Sequence, residues 1–260
     1  MSDLFDVDGA RVVVTGAASG LGLAMAEVMA DGGARVTLAD LDADGLEEVA
    51  GRLGGDVRTA RLDVSDQAAV ERLFDEVAEE QGGVDVAFAN AGISLEAGVT
   101  DAAGGLEAFD RAKWDTVLGV NLNGVVFTIK AAARHMKKQG SGRIVVTAST
   151  AGFGTDPMVG YSYSATKAAV IVIVRQAALE LAKHGVHVNA IAPGPFRTNI
   201  GGDAAPIPPE AWNDIVAIGR MAEPDEVKGV ALLLASPASS FMTGAVIPVD
   251  GGQLLMSHGV

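Results

Sequence analysis

Apolar residues along the chain follow two alternating patterns. Short β-branched runs, several of them apolar at consecutive positions, predict strands over 11–15, 35–40, 57–62, 84–89, 143–148, 186–192 and 245–249. Consecutive apolar positions are typical of strands that are covered on both faces, as in a parallel sheet. Alanine- and leucine-rich segments between them predict helices over 20–31, 42–52, 66–81, 111–138, 163–184 and 223–235.

This alternation predicts an α/β fold of Rossmann type. We expect a doubly wound, mainly parallel sheet of seven strands, with helices on both faces and right-handed crossovers. No linker, repeat or low-complexity tract interrupts the pattern, so a single domain over residues 1–260 is expected. The long irregular stretch 197–211 (RTNIGGDAAPIPPEA) predicts a substrate loop over about 197–215. A plain surface connection is the alternative interpretation.

Composition narrows the classes of function. The chain carries 19 lysines and arginines against 33 acidic residues, a net charge of −14, which disfavours nucleic acids and anionic membranes as partners. The absence of cysteine excludes disulfides, thiolate nucleophiles and cysteine-based zinc sites. The acidic N-terminus does not resemble a targeting segment, and the most apolar stretch is broken by Arg175 and Glu180. We therefore expect a soluble, cytoplasmic protein.

A glycine-rich turn joins the first predicted strand to the first predicted helix. The stretch 15–22 (TGAASGLG) places glycines at positions 16, 20 and 22. Residues without a Cβ atom let backbone N–H groups approach a pyrophosphate, and the helix N-terminus favours its negative charge. Three glycines alone also fit an ordinary strand-to-helix turn, but the position after the first strand favours a dinucleotide site.

The second predicted strand ends in a carboxylate, Asp40. A carboxylate there can accept hydrogen bonds from the adenosine ribose hydroxyls, and it would repel a 2′-phosphate. No lysine or arginine follows in the stretch LDADGLEEVA. The pattern favours NAD over NADP as the cofactor, and a simple helix cap is the alternative role for Asp40.

Both tyrosines of the chain lie in the stretch 160–167 (GYSYSATK). Only Tyr163 has a lysine, Lys167, four residues on, and this spacing places both side chains on one face of a helix. A tyrosine can act as general base or acid at an alcohol oxygen if a nearby cation favours its phenolate. Tyr161 is expected just before the helix, with Ser162 as a candidate N-terminal cap.

Several motifs together resemble the one-domain branch of the short-chain dehydrogenase/reductase family, over nearly the whole chain. They are TGAASGLG at 15–22, Asp63-Val64 after the third strand, NAG at 90–92, VNLNG at 120–124, Ser149 after the fifth strand, YSATK at 163–167 and PGPFRT at 193–198. The resemblance implies a catalytic tetrad of Asn121, Ser149, Tyr163 and Lys167. The amide of Asn121 could hold a water that links Lys167 to solvent, and a satisfied core amide is the alternative.

The resemblance also implies a set of cofactor-binding residues along the carboxyl ends of the strands. The glycines would hold the pyrophosphate, the Asp63-Val64 pair would frame the adenine, and the PGPFRT segment would lie near the nicotinamide. The implied set is Gly16, Ser19, Gly20, Leu21, Gly22, Asp40, Leu41, Asp63, Val64, Asn90, Ala91, Gly92, Tyr163, Lys167, Pro193, Gly194, Phe196 and Thr198. Phe196 stands where many members of the family carry a small aliphatic residue.

The expected activity is NAD-dependent interconversion of a secondary alcohol and a ketone. Loops 93–110, 150–162 and 197–215 are small and apolar in composition, which favours a fairly apolar, cyclic or aromatic substrate. Candidate substrate contacts are Ser149, Phe153, Tyr163 and Ile200, and Tyr161 and Met158 are further guesses from loop position. Arg197 could instead contact a carboxylate or phosphate, which would argue against an apolar substrate.

Two alternative functions stay open at this point. A 3-oxoacyl reductase of fatty-acid type would usually take NADP, which Asp40 opposes. A non-catalytic NAD(H)-sensing protein would often lack the tyrosine or the lysine, and both stand here. The resemblance further implies a homotetramer that pairs the helices near 111–138 and 163–184, and the sequence does not exclude a dimer. No metal site is expected, because His184 and His187 straddle Gly185 between a helix and a strand.

Overall fold

A single parallel sheet forms the centre of the protein. The computed structural model describes residues 2–200 and 209–256. Its strands are β1 (Arg11–Thr15), β2 (Arg35–Asp40), β3 (Val57–Arg61), β4 (Val86–Ala89), β5 (Gly142–Thr147), β6 (Val186–Pro193) and β7 (Val246–Val249). They pair in the order β3-β2-β1-β4-β5-β6-β7, and every pair is parallel. The predicted Rossmann-type fold is confirmed.

The helices follow the predicted segments, with three differences. They are α1 (Gly20–Asp31), α2 (Ala43–Arg52), α3 (Gln67–Gln81), α4 (Arg111–Leu118), α5 (Val125–Gln139), α6 (Tyr161–Leu181), α7 (Lys228–Ala235) and α8 (Gln253–Met256). The predicted helix 111–138 is divided into α4 and α5 by a π-helical segment, Gly119–Gly124. The predicted helix 223–235 begins as a 3-10 turn, Pro224–Val227, before α7.

The third difference lies at the start of α6. This helix begins at Tyr161, two residues earlier than predicted, and its N-cap is Gly160. The prediction that Ser162 caps the helix is therefore wrong. Ser162 lies inside the first turn, where its backbone N–H needs a partner from elsewhere in the protein.

The two faces of the sheet carry two separate apolar cores. Neighbouring residues of β1 point to opposite faces: Val13 belongs to the same core as Phe74 of α3, whereas Val12 belongs to the core that contains Met25 of α1. Helices α3, α5 and α6 cover the first face, and α1, α2 and α7 cover the second. This double cover explains why the strands are apolar at consecutive positions.

The helical run Arg111–Gln139 is long and apolar enough to cross a membrane, judged by length and composition alone. Half of the most apolar part of this run is buried inside the protein. Helix α5 packs against α3 and the central strands. A core helix of a soluble protein can be equally long and apolar, so this run is only weak evidence for a membrane-spanning segment.

The strand order places a crevice at the middle of the sheet. β1 pairs with β2 on one side and with β4 on the other, so the crossovers leave this point in opposite directions. Doubly wound sheets bind ligands outside the carboxyl ends of the strands at such a switch point. The glycine turn follows β1 and the NAG motif follows β4, so both lie at this crevice.

Candidate active site

The glycine turn after β1 closes because three of its residues lack side chains. Gly16 and Gly20 have φ angles of 69° and 57°, in the left-handed region that favours glycine. A Cβ atom at Gly22 would lie 2.0 Å from the carbonyl oxygen of Gly16. One at Gly16 would lie 2.8 Å from the Cα atom of Ala91, so the turn also lies directly against the end of β4.

The first turn of α1 presents backbone donors at the crevice. The first N–H groups of a helix have no acceptor within the helix. Ser19 is the N-cap, and among the described residues its side chain makes no capping hydrogen bond. A helix N-terminus that no side chain caps, behind a glycine turn, fits a pyrophosphate group.

Asp40 is fixed beside this turn at the end of β2. Its Oδ2 atom accepts a hydrogen bond from the backbone N–H of Ala18 (3.0 Å), and its Oδ1 atom accepts one from that of Asp42 (3.1 Å). The residue that caps α2 is Asp42, which accepts from the N–H of Gly45 at 3.0 Å. The alternative role of Asp40 as a simple helix cap is therefore excluded.

Asn90 joins three strand ends. Its Nδ2 atom donates to the carbonyl oxygens of Thr15 (3.0 Å) and Gly16 (3.2 Å), and its Oδ1 atom accepts from the hydroxyl of Thr147 at 2.9 Å. The Thr15 hydroxyl in turn accepts from the N–H groups of Asn90 and Ala91. The side chain thus holds the β1, β4 and β5 ends together, which is a structural role beside the implied cofactor contact.

The four residues of the implied tetrad come together next to this crevice. Ser149 follows β5 and its side chain hydrogen-bonds to Tyr163, which is half-buried on the first turn of α6. One turn on, the ammonium of Lys167 lies 5.6 Å from the centre of the Tyr163 ring and donates to the carbonyl oxygen of Thr147 at 2.8 Å. A phenol with a hydroxyl and an ammonium beside it is a group that can exchange a proton.

Gly92 connects this cluster to Asn121. A Cβ atom at Gly92 would lie 3.6 Å from the Nζ atom of Lys167 and 3.5 Å from the Oδ1 atom of Asn121. Lys167 and Asn121 are both fully buried. The tetrad therefore assembles from the π-helical segment, the end of β5 and α6, with Gly92 after β4 lying between Lys167 and Asn121.

Comparison with known proteins agrees with this geometry. Residues 16–253 match the family profile described as enoyl-(acyl carrier protein) reductase. The chain is 39% identical over 246 residues to meso-2,3-butanediol dehydrogenase of Serratia marcescens, covering 94% of each protein. It is 41% identical over 246 residues to cis-4-hydroxycyclohexanecarboxylate dehydrogenase of Sinomonas cyclohexanicum, covering 92% of this chain and 94% of that one.

Solved structures give the same result. A short-chain type dehydrogenase/reductase from Mycobacterium marinum superposes with a TM-score of 0.87 at 36% identity, covering 96% of this chain and 98% of the other. The chain belongs to the short-chain dehydrogenase/reductase family. This confirms the predicted membership and makes the protein an oxidoreductase. Another family member, levodione reductase, superposes with a TM-score of 0.86 at 32% identity, covering 95% of this chain and 98% of that one.

Burial sets the electrostatics of the tetrad in this short-chain dehydrogenase/reductase. Burial raises the pKa of Tyr163, the hydrogen bond from Ser149 opposes that rise, and the negative charge of Asp156 adds to it. Burial also lowers the pKa of Lys167 to about 8. We expected Lys167 and the positive charge of an oxidised nicotinamide together to favour the phenolate, and the chain without coenzyme leaves the Tyr163 pKa above its ordinary value. Positive charge from a bound oxidised nicotinamide would have to act as well.

Asn121 joins the π-helical segment to the chain that follows β4. Its Oδ1 atom accepts from the N–H of Ile93 and its Nδ2 atom donates to the carbonyl oxygen of the same residue, each at 2.8 Å. The amide is thus engaged on both sides and fixes the chain directly after the NAG motif. The amide keeps a second Nδ2 hydrogen and a second Oδ1 lone pair, so the expectation that it holds a relay water stays a prediction beside the alternative of a satisfied core amide.

The implied adenine contacts lie at the end of β3. The Oδ1 atom of Asp63, an exposed residue, accepts from the N–H and the hydroxyl of Ser65, at 2.9 and 2.7 Å. Val64 is buried, and its side chain packs where a Cβ atom of Gly124 would otherwise stand. Leu41, after the end of β2, is 56% exposed and thus free for contact with a ligand.

The PGPFRT segment after β6 returns to the glycine turn. The side chain of Thr198 would contact a Cβ atom at Gly20 at 3.4 Å, which places it at the implied cofactor site. Gly194 lies against the backbone of Asp250. Pro193 ends β6, and its carbonyl oxygen accepts from the hydroxyl of Thr150 at 3.3 Å. The side chain of Phe196 is buried in the apolar core between the sheet and α1. It therefore contributes to packing and does not present a surface that a cofactor could contact.

The expected substrate loops carry exposed apolar side chains. Phe153, Met158 and Ile200 are each about 40% exposed, and Tyr161 is equally open at the start of α6. Arg197 forms an ion pair with Glu223 at 2.8 Å, so it is not an unpaired contact for an anionic substrate. Residues 201–208 of the predicted loop 197–215 lie outside the described residues.

Two acidic residues near the reaction centre were not anticipated. Asp156 acts on Tyr163 from the loop before α6, and its Oδ1 atom also accepts from the N–H of Met158 at 2.9 Å. Glu96, from the segment after β4, hydrogen-bonds to Ser162. Neither belongs to a recognisable motif. Over residues 2–200 and 209–256, no group of three or more His, Cys, Asp or Glu side chains could hold a metal ion.

Proposed function

We propose that this protein is an NAD(H)-dependent dehydrogenase that interconverts a secondary alcohol and a ketone. The observation that carries the proposal is Tyr163, with Ser149 hydrogen-bonded to it and the Lys167 ammonium 5.6 Å from its ring. Relatives of 37–41% identity are named as dehydrogenases of butanediol, hydroxycyclohexanecarboxylate, threitol and galactitol. These names support oxidation at a secondary carbinol.

In the proposed mechanism the protein handles the proton. The bound coenzyme supplies the hydride acceptor or donor. Ser149 orients the substrate oxygen by a hydrogen bond and stabilises charge that develops there. Tyr163 takes the hydroxyl proton in oxidation and returns it in reduction. Lys167 stabilises the phenolate by its charge, and the bare face of Gly92 leaves space beside the Nζ atom.

The preference for NAD over NADP rests on Asp40. Its carboxylate is fixed at the end of β2 by the N–H groups of Ala18 and Asp42, where it can accept from ribose hydroxyls and repel a 2′-phosphate. Asp40→Asn keeps an acceptor for these donors and removes the charge. We expect the ratio of kcat/KM with NADPH to that with NADH to rise about tenfold, which corresponds to about 1.4 kcal/mol. Asp42→Asn, at the α2 cap, is the matched control and should leave the ratio unchanged.

The substrate class is proposed as a small, neutral secondary alcohol or ketone. The exposed apolar side chains of Phe153, Met158 and Ile200 favour the predicted apolar, cyclic or aromatic substrate, and the carboxylate of Asp156 disfavours an anion close to Tyr163. Several named relatives take diols and polyols, which are more polar than the prediction. A panel of cyclohexanols, aryl carbinols, butanediols, tetritols and hexitols, assayed with NAD at alkaline pH, separates these classes.

The same panel addresses the alternative functions. The second candidate substrate is a 3-oxoacyl thioester, whose 3-oxo group is also a ketone that a secondary-alcohol dehydrogenase can form or reduce. Turnover of 3-oxoacyl thioesters alone, with NADPH preferred, would replace the proposal by that candidate. Tight NADH binding without turnover of any panel member would indicate a sensing protein instead.

The proposed homotetramer rests on exposed apolar residues of the predicted pairing helices. Val172 and Leu179 lie seven residues apart on one face of α6 and are 63% and 77% exposed. Val126 of α5 is also exposed. Sedimentation velocity tests this part of the proposal: the wild type should run as a tetramer and Leu179→Glu as a smaller species. The cytoplasmic location stays a prediction.

A further inference from the structure

The side chain of Glu96, in the segment after β4, hydrogen-bonds to the first turn of α6, the helix that carries Tyr163 and Lys167. The Oε2 atom of Glu96 accepts a hydrogen bond from the backbone N–H of Ser162 at 3.0 Å, and the Ser162 hydroxyl donates to the same oxygen. Ser162 is 1% exposed, and Glu96 is half-buried. Because Tyr163 follows Ser162 directly, this contact lies one residue from the proposed acid–base group.

The start of α6 depends on this contact for its cap. The N-cap is Gly160, which has no side chain to accept from the first N–H groups of the helix. Glu96 supplies an acceptor from 66 residues away along the chain. A negative charge at a helix N-terminus is also favoured by the helix dipole. The residue that caps α6 therefore lies in loop 93–110, which is expected to bind substrate.

Close backbone contacts bring the loop of Glu96 onto the segment before α6. A Cβ atom at Gly98 would lie 2.2 Å from the carbonyl oxygen of Pro157, and one at Gly160 would lie 2.4 Å from the Cβ atom of Glu96. Glu96 also lines a cavity of about 160 Å³, together with Phe109, Lys113 and Tyr161 among others. Packing is thus incomplete around Glu96, and its hydrogen bonds to Ser162 fix the carboxylate.

We propose that Glu96 is a positioning residue for the alcohol–ketone reaction. Through Ser162 it fixes the first turn of α6 and so holds the Tyr163 hydroxyl against Ser149. Its effect on turnover rests on the proposed function, whereas its effect on the environment of Tyr163 does not. Displacement of a reacting group by about 1 Å can cost on the order of 100-fold in rate, so this loop contact can control the chemistry without touching the substrate.

The kinetic test compares four variants at one pH. Glu96→Ala removes the acceptor, and we expect kcat to fall about tenfold or more while NADH affinity and the substrate KM stay within about twofold. Glu96→Gln keeps an amide oxygen for the Ser162 N–H and should recover most of the rate. Ser162→Ala removes the hydroxyl alone and should give a smaller loss. Glu79→Gln, at an exposed glutamate of α3, is the matched control and should behave as wild type.

A spectroscopic test does not depend on turnover. In a Tyr161→Phe background Tyr163 is the only tyrosine, so the ultraviolet absorbance of the phenolate reports on it alone. We expect Glu96→Ala to move the Tyr163 titration down toward that of free tyrosine, because the phenol loses its fixed, buried position. Glu96→Gln should move it less. Circular dichroism at each pH shows whether the fold is retained.

Several outcomes would overturn the proposal. If Glu96→Ala and Glu96→Gln shift the titration of Tyr163 equally, Glu96 acts on Tyr163 only through its charge and does not position it. A lower melting temperature with unchanged kcat would make its role structural only, and a higher KM alone would make it a substrate contact. If Glu96→Ala does not fold, Ser162→Ala carries both tests, and an unchanged rate and titration would then reject the proposal. A wild type without alcohol or ketone turnover rejects the proposed function, and the titration still tests Glu96.

Discussion

The two ends of the proposed cleft are built in different ways. At the coenzyme end the geometry is held by close contacts of main-chain atoms: Gly22 lies against the carbonyl oxygen of Gly16, and Gly16 lies against the backbone of Ala91. At the reaction end it is held by polar side chains, above all the buried Lys167 and the half-buried Tyr163. The first end should therefore be sensitive to one added carbon atom, and the second to one charge or proton.

The largest expected effect is at the reaction end. Tyr163→Phe removes the proton donor and acceptor and changes the shape of the side chain very little. We expect kcat to fall about 10²- to 10⁴-fold, the range for loss of a general acid–base group. NADH affinity, measured by fluorescence titration, should stay within about twofold of wild type. Full turnover by this variant would remove Tyr163 from the mechanism.

The coenzyme end should fail through sterics. A Cβ atom at Gly22 would meet the Gly16 carbonyl oxygen at 2.0 Å, so Gly22→Ala must open the turn. We expect NADH affinity to fall about tenfold or more and the free energy of unfolding to fall by about 1–3 kcal/mol.

Gly51→Ala in α2 is the matched control for the Gly22 variant. Among the described residues nothing lies within 4 Å of a Cβ atom at Gly51. This substitution should raise the free energy of unfolding by about 0.5–1 kcal/mol and leave coenzyme binding unchanged. Wild-type affinity in Gly22→Ala would contradict the account of the turn.

A smaller effect is expected at the reaction end, where burial of Lys167 affects stability and activity in opposite directions. The Lys167 pKa of about 8 in the folded protein lies below the value of about 10.4 for free lysine. The charged ammonium is therefore unfavourable in the fold below pH 8, at a cost of about 3 kcal/mol. Between these two values the unfolded chain binds the proton and the folded one does not, so this group makes stability rise with pH.

Lys167→Met should remove that dependence. At neutral pH we expect the variant to be more stable than wild type by about 1–2 kcal/mol, since the Thr147 carbonyl oxygen loses its partner and offsets part of the gain. The difference should vanish near pH 10, and turnover should be lost at every pH. Urea unfolding at both pH values measures it. A difference that does not depend on pH would show that the lysine is not destabilised by burial.

The fold was predictable from the sequence because the sheet is covered on both faces. Consecutive β-branched residues marked each strand, and the glycine turn marked the switch point. β4 starts at Val86, two residues later than predicted, and the central helix contains a π-helical segment. Neither detail leaves a signal in the apolar pattern, because both depend on how the ends of neighbouring elements pack.

Only those parts of the candidate site that depend on residues close together in the sequence were predictable. Tyr163 and Lys167 are one helical turn apart, and this is visible in the sequence. The contact between Glu96 and Ser162 spans 66 residues and has no periodic signal. The pairing of the Asn121 amide with Ile93, and the raised pKa of Tyr163 in the chain without coenzyme, arise from burial in the fold.

The central claim is that Tyr163 becomes a base only when the oxidised coenzyme adds positive charge beside Lys167. The most direct test is an ultraviolet titration of Tyr163 in a Tyr161→Phe protein, with and without saturating NAD⁺. The account predicts a phenol pKa above the ordinary value in the free protein, and a fall by about two or more pH units on adding NAD⁺. The same pKa under both conditions would contradict it.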